Sequence, residues 1–169
     1  MKLTFKNDTF KILQIADTQE GRKVSPDTLA LINAALDREE PDLVVYSGDQ
    51  IWGRGFHGDV NQVRRVLKEL TAPVVERHLP FAICFGNHDR QVGLDNRAQF
   101  EIYKEIPGFI GEDTPGVDGV GNCVLEIADG DRPGYLLYLI DSHSSLKVGY
   151  DHVHQNQIDW YRGVRDSYE

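Results

Sequence analysis

The chain has 169 residues, 40 % of them hydrophobic, which is enough to bury a core without disulfide staples and excludes a small disulfide scaffold. With 27 acidic against 18 basic residues and a formal net charge of −9, it is poorly suited to general nucleic-acid or anionic-membrane binding. No apolar run approaches the roughly 20 residues of a membrane span, and Met1-Lys2-Leu3-Thr4 does not open a signal peptide, so a cytoplasmic protein with no membrane partner is expected.

In chain order, the first apolar run is Lys11 to Ala16, a strand that delivers Asp17-Thr18-Gln19. Ser25-Pro26-Asp27 then starts a helix: Ser25 caps, Pro26 fits the first helical position, and Asp27 suits the positive end of the helix dipole. Leu29, Ile32 and Leu36 form its apolar face and Pro41 ends the unit. A second strand, Leu43 to Ser47, delivers Gly48-Asp49-Gln50, and the intervening helix makes the first two strands parallel. The glycine-rich stretch from Ile51 to Gly58 follows directly and is a candidate lid or substrate wall, including Arg54 and His57.

A second helix starts near Asp59, with Val60, Val63, Leu67 and Leu70 at helical spacing, and meets Pro73 with a kink or a restart. The third strand, Phe81 to Phe85, runs into Gly86-Asn87-His88-Asp89. Asp95 caps a short helix through Ile106 that turns Phe100 and Tyr103 inward. Gly111 to Gly121 reads as a loop, and Asn122 to Ile127 and Tyr135 to Ile140 as an antiparallel hairpin around Asp129 to Gly134. Gln155 to Tyr161 begins an amphipathic helix. Cys84 and Cys123 fall in strands and read as small buried hydrophobes of a reduced compartment.

Three successive parallel strands thus bring Asp17, Asp49 and Asn87-His88-Asp89 to one sheet edge, where open α/β sheets present their ligands. Any one of these groups alone reads as a polar turn. The ordered set Asp-x-x, Gly-Asp, Gly-Asn-His-Asp resembles the calcineurin-like metallophosphoesterases, on a branch related to the purple acid phosphatases. The resemblance covers roughly residues 10 to 165 and implies an α/β fold of the αββα sandwich type, with residues 1–169 as a single unit forming the N-terminal portion of such a domain. Two departures stand out: Gln19 occupies the place of the family's His in the first block, and no Gly-His-x-His block is present, so the sandwich is expected to be truncated at its C-terminal side.

The resemblance implies hydrolysis of a phosphomonoester or diester by two divalent cations about 3.5–4 Å apart, through attack of a metal-bridging hydroxide. Asp49 would bridge the ions, Asp17 and Gln19 would hold the first, and Asn87 the second. His88 would bond the phosphate or protonate the leaving alkoxide, Asp89 would orient His88, and Arg90 would meet charge on the phosphoryl oxygens. Oxygen from Gln19 in place of an imidazole nitrogen favours Mn²⁺, with Mg²⁺, Fe²⁺ and Zn²⁺ as alternatives. The purple, tyrosinate-ligated branch has Tyr where this chain has Trp52, so a ferric charge-transfer site is not expected. The alternative to an enzyme is a catalytically impaired binding or scaffold module, or an inactive piece of a longer enzyme.

Among the other histidines, His152-Val153-His154 has the spacing of His-x-His but lacks the preceding Gly and apolar strand, and reads as a solvent-facing helix start. His143, at the end of a predicted strand, is a loop residue that could face the pocket, and His57 and His78 read as surface. An unsupported hairpin would expose its apolar side, so self-association through an exposed sheet is expected.

Overall fold

Alternation of apolar strands with amphipathic helices builds the first half of the molecule, and a hairpin closes it from the opposite side. The computed structural model describes residues 2–53 and 55–168. Its elements are β1 (Leu3–Thr4), β2 (Ile12–Ile15), α1 (Pro26–Glu39), β3 (Leu43–Ser47), α2 (Val60–Glu76), β4 (Phe81–Cys84), α3 (Asn96–Lys104), β5 (Cys123–Asp129), β6 (Arg132–Leu139) and α4 (Gln155–Asp166). One sheet has the order β2-β3-β4, all parallel. The other has the order β1-β5-β6, with β1 parallel to β5 and β5 antiparallel to β6.

The two faces of β3 show how the layers form. Val44 and Tyr46 point to the helices, where they pack with Ile32 and Leu36 of α1, Val63, Leu67 and Leu70 of α2, and Phe81 and Ile83 of β4. Leu43 and Val45 point the other way and meet Leu3, Cys123, Leu125, Ile127 and Leu139 of the second sheet. Both faces of β3 are therefore apolar, which is why its sequence shows a continuous hydrophobic run rather than alternation. On the outer face of the second sheet, Tyr138 makes edge-on ring contacts with Trp160 (6.0 Å) and Tyr161 (4.8 Å) of α4. The result is the expected order of layers: helices, sheet, sheet, helix.

Ser25 and Asp95 cap α1 and α3 through their side-chain oxygens as read from sequence. Several details differ from expectation. Helix α2 continues through Pro73 to Glu76 without a restart, and Arg77 Nη1 donates to the Pro73 carbonyl at 2.8 Å. Helix α3 ends at Lys104, short of Ile106. The hairpin is longer than its apolar stretches, reaching Asp129 and Arg132, because backbone pairing extends past the side chains that signal it. Strand β1 was not anticipated, since two residues are too short for any periodicity to show.

While the start of β6, from Arg132 to Tyr135, stays exposed, the expectation of an exposed hairpin is corrected for its inner face. Its apolar inner face is covered by the first sheet, with Leu125, Ile127 and Leu139 all buried, and its outer face carries α4. Truncating Ile127 to Ala should therefore cost about 2–5 kcal/mol by opening a cavity between the sheets. Urea unfolding would measure this, and a loss under about 0.5 kcal/mol would contradict the packing described.

Candidate metal centre

The C-terminal ends of β2, β3 and β4 are tied to one another before any functional side chain is considered. Asp17 N–H donates to the Gly48 carbonyl (3.1 Å) and Gln19 N–H to the Asp49 carbonyl (2.8 Å), so the first tip is laced to the second. Asp17, Gln19 and Asp49 all adopt left-handed backbone, with φ of 55°, 45° and 53°. For residues other than glycine this conformation is costly, and it clusters where function demands a fixed side-chain direction. The loops after β3 and β4 touch: a Cβ on Gly48 would lie 3.0 Å from Gly86 Cα, and one on Gly86 would lie 2.2 Å from Asp49 Oδ1. Only glycine at position 86 leaves room for the Asp49 carboxylate.

Asp89 holds this arrangement together. Its carboxylate accepts four backbone N–H bonds: Oδ2 from Gly86 (2.8 Å) and Asp49 (2.9 Å), Oδ1 from Gln50 (2.8 Å) and Ile51 (3.1 Å). Burial pushes its carboxyl up to about 6, against the opposing pull of those N–H groups, so it is charged at neutral pH. The sequence reading gave Asp89 the task of orienting His88. The structure assigns its oxygens elsewhere: both are spent on backbone, and the residue braces two loops. Two buried amides extend the brace, with Gln50 Nε2 donating to the Tyr46 and Cys84 carbonyls and Gln99 Nε2 to the carbonyls of Asp89 and Leu94.

On this frame Asp17, Asp49 and Asn87 line one cavity of about 400 Å³. Asp49 spends Oδ1 on the His88 backbone N–H at 2.7 Å, which leaves Oδ2 as a donor. Two carboxylates and an amide form an all-oxygen set, a chemistry that fits a hard or borderline divalent cation. Gln19 is not on the cavity wall; its Nε2 donates to Asp17 Oδ1 at 3.3 Å. His88, like Gln19, is not on the cavity wall; it is half-buried, its ring edge-on to Trp52 at 5.7 Å, and its Nδ1 is buried without a hydrogen-bond partner. Arg90 is exposed on the 3₁₀ turn Asp89–Val92. Neither the lid nor the substrate wall expected of the Ile51 to Gly58 stretch is seen: Ile51 and Phe56 are buried in the core, Trp52 Nε1 donates to Gln91 Oε1, and none of the described residues of this stretch lines the cavity. Arg54 lies outside the described residues. His57 and His78 are exposed, as read from sequence.

Sequence reasoning saw only part of the other side of the same cavity: it read His143 as a loop residue that could face the pocket and did not single out Asp151. The segment after β6 brings His143 and Asp151 to its wall, opposite the strand tips in sequence but adjacent in space. His154, expected to face solvent, instead stacks on His143 with ring centroids 4.2 Å apart and bonds Asp118 and Asp151, whose carboxylates raise its proton affinity. The signal available was weak: a His-x-His spacing without its usual flanks.

Asp89→Asn replaces an acceptor with an amide that offers hydrogens to N–H groups, so it should destabilise the fold by about 3 kcal/mol in urea unfolding; a change under about 0.5 kcal/mol would contradict the brace. Gly86→Ala should displace the Asp49 carboxylate and weaken the binding of any divalent cation held there at least about tenfold in calorimetry, and wild-type affinity would contradict the steric reading.

Comparison with known proteins agrees with this geometry. The calcineurin-like phosphoesterase family profile matches residues 10–167. Phosphatase DCR2 of Saccharomyces cerevisiae is 31 % identical over 185 residues, covering 93 % of this chain and 32 % of that protein. An uncharacterized protein of Schizosaccharomyces pombe is 32 % identical over 90 % of this chain and 32 % of its own length. Probable inactive purple acid phosphatase 14 of Arabidopsis thaliana is 28 % identical over 95 % of this chain and 48 % of its own length. The chain thus spans about a third to a half of these curated relatives. With its strand tips, loop brace and acidic cavity matched by a profile over nearly its whole length, the chain belongs to the calcineurin-like phosphoesterase family.

Proposed function

We propose that this protein hydrolyses phosphomonoesters or diesters with the help of two divalent cations held by Asp17, Asp49 and Asn87, with Gln19 at the margin. The observation that carries this reading is the convergence of those three oxygen donors on one cavity, from the ends of three parallel strands. Divalent cations bound there would polarise a phosphoryl oxygen and lower the pKa of water. The donor set, without nitrogen or sulfur, supports Mn²⁺ or Mg²⁺ over softer ions.

The chain's own groups divide the remaining work. The strained, hydrogen-bonded tips fix the donors in advance, so little reorganisation is needed on binding. His88, braced by Trp52 and with Nδ1 unpartnered, holds a proton for the leaving oxygen. Asp89 acts on the reaction only through the backbone it fixes. Arg90, exposed on the 3₁₀ turn that follows His88, would be a cation for an anionic substrate. The free thiols of Cys84 and Cys123, both pushed up to about 11 by burial, are consistent with a reduced, cytoplasmic setting. No helix among the described residues is long and apolar enough to cross a membrane.

A scaffold role is the second reading. It is favoured by the position of Gln19, off the cavity wall where the family's histidine would serve a metal, and by relatives whose names include "probable inactive".

Mn²⁺-dependent hydrolysis of p-nitrophenyl phosphate and its bis ester distinguishes the two. Asp49→Asn and His88→Ala should each lower turnover at least about 100-fold while leaving the circular dichroism unchanged. Wild-type rates in both variants would overturn the assignment, and a wild-type chain inert toward both esters would leave the scaffold reading standing.

A further inference from the structure

The geometry points to a second, nitrogen-containing metal site formed by His143, Asp151 and His154, suited to Zn²⁺ or a similar borderline ion. One donor atom from each of these three half-buried residues lies within 4.8 Å of the other two. They come from the segment between β6 and α4, and none belongs to the three strand tips.

The hydrogen bonds around them fix the orientation of both imidazoles. Gln157 is buried, and its Oε1 accepts the His154 backbone N–H at 2.7 Å, which identifies that atom as the amide oxygen. Its Nε2 donates to Asn122 Oδ1 (3.0 Å) and the Asp141 carbonyl (2.7 Å), so the amide cannot turn over. His143 Nε2, 3.0 Å from the same Oε1, must then be the protonated nitrogen, which leaves Nδ1 with a free lone pair. His154 differs: Nδ1 faces Asp118 Oδ2 at 2.8 Å and Nε2 faces Asp151 Oδ1 at 3.2 Å, so a cation bound here would replace the proton shared between Nε2 and Asp151. Each imidazole therefore has its rear nitrogen bonded to an oxygen, the arrangement that orients metal-ligating histidines.

The backbone is also constrained. His143 is held at φ 66° by its own N–H to Asp141 Oδ1 (2.8 Å), while Asp141 Oδ2 is bonded to the Val120 N–H. A left-handed residue other than glycine needs such anchoring, and here it turns the imidazole toward His154. Two imidazoles and one carboxylate, with coordination positions to spare, match the donor set of zinc sites. Because His143 and Asp151 also line the cavity of Asp17, Asp49 and Asn87, the ion would lie at the edge of the proposed phosphoester site.

This site does not depend on hydrolysis at the strand tips, and the two are separable by metal type. Co²⁺ titration followed by visible absorption would be performed on the full chain carrying Asp49→Asn, and on wild type saturated with Mg²⁺ as a second background. One Co²⁺ per chain, displaced by Zn²⁺, is expected in both. Affinity should fall at least about tenfold in His143→Ala and in Asp151→Asn, and also in Asp118→Asn, which removes no ligand. Absorption that survives His143→Ala and Asp151→Asn together, or no Co²⁺ uptake in either folded background, would overturn the assignment. Loss of hydrolysis in Asp49→Asn bears on the strand-tip centre alone.

Discussion

The buried carboxylate of Asp89 is the interaction on which the site depends. Loops that leave adjacent parallel strands have no reason to stay in register, since the ladder that ordered them has ended. Four N–H groups, one from the Gly86 loop and three from the Asp49 loop, converge on one side chain and restore that order. The cost is a charge taken out of water, visible as the raised proton affinity of Asp89. The return is that Asp49 and Asn87 are held at fixed places by backbone hydrogen bonds on either side of them.

The same economy of backbone appears at the glycines. Gly48 and Gly86 are needed because the two loops approach so closely that a side chain on either would meet backbone or the Asp49 carboxylate. The left-handed conformations of Asp17, Gln19 and Asp49 are the counterpart: residues that gain nothing locally from such backbone are held in it by the inter-loop hydrogen bonds. Strain, close approach and buried charge thus meet within a few residues of one cavity.

How much of this was legible in the sequence follows from the range of each interaction. The three strands, the caps at Ser25 and Asp95 and the hairpin are local patterns of period and punctuation, and all appear where those patterns place them, within a few residues. The gathering of Asp17, Asp49 and Asn87 follows from topology, because parallel strands present the same end. The role of Asp89 was misjudged because its partners are backbone groups, which no side-chain pattern announces. The stacking of His154 on His143 and the covering of the hairpin by α4 arise from contacts made late in the chain, beyond the reach of any local signal.

The central claim is that the strand tips form a cation site of oxygen donors. Calorimetric titration of the purified chain with Mn²⁺, wild type against Asp49→Asn, tests it most directly. Saturable binding in wild type that disappears in the variant is the predicted result. Identical isotherms for the two proteins would contradict it.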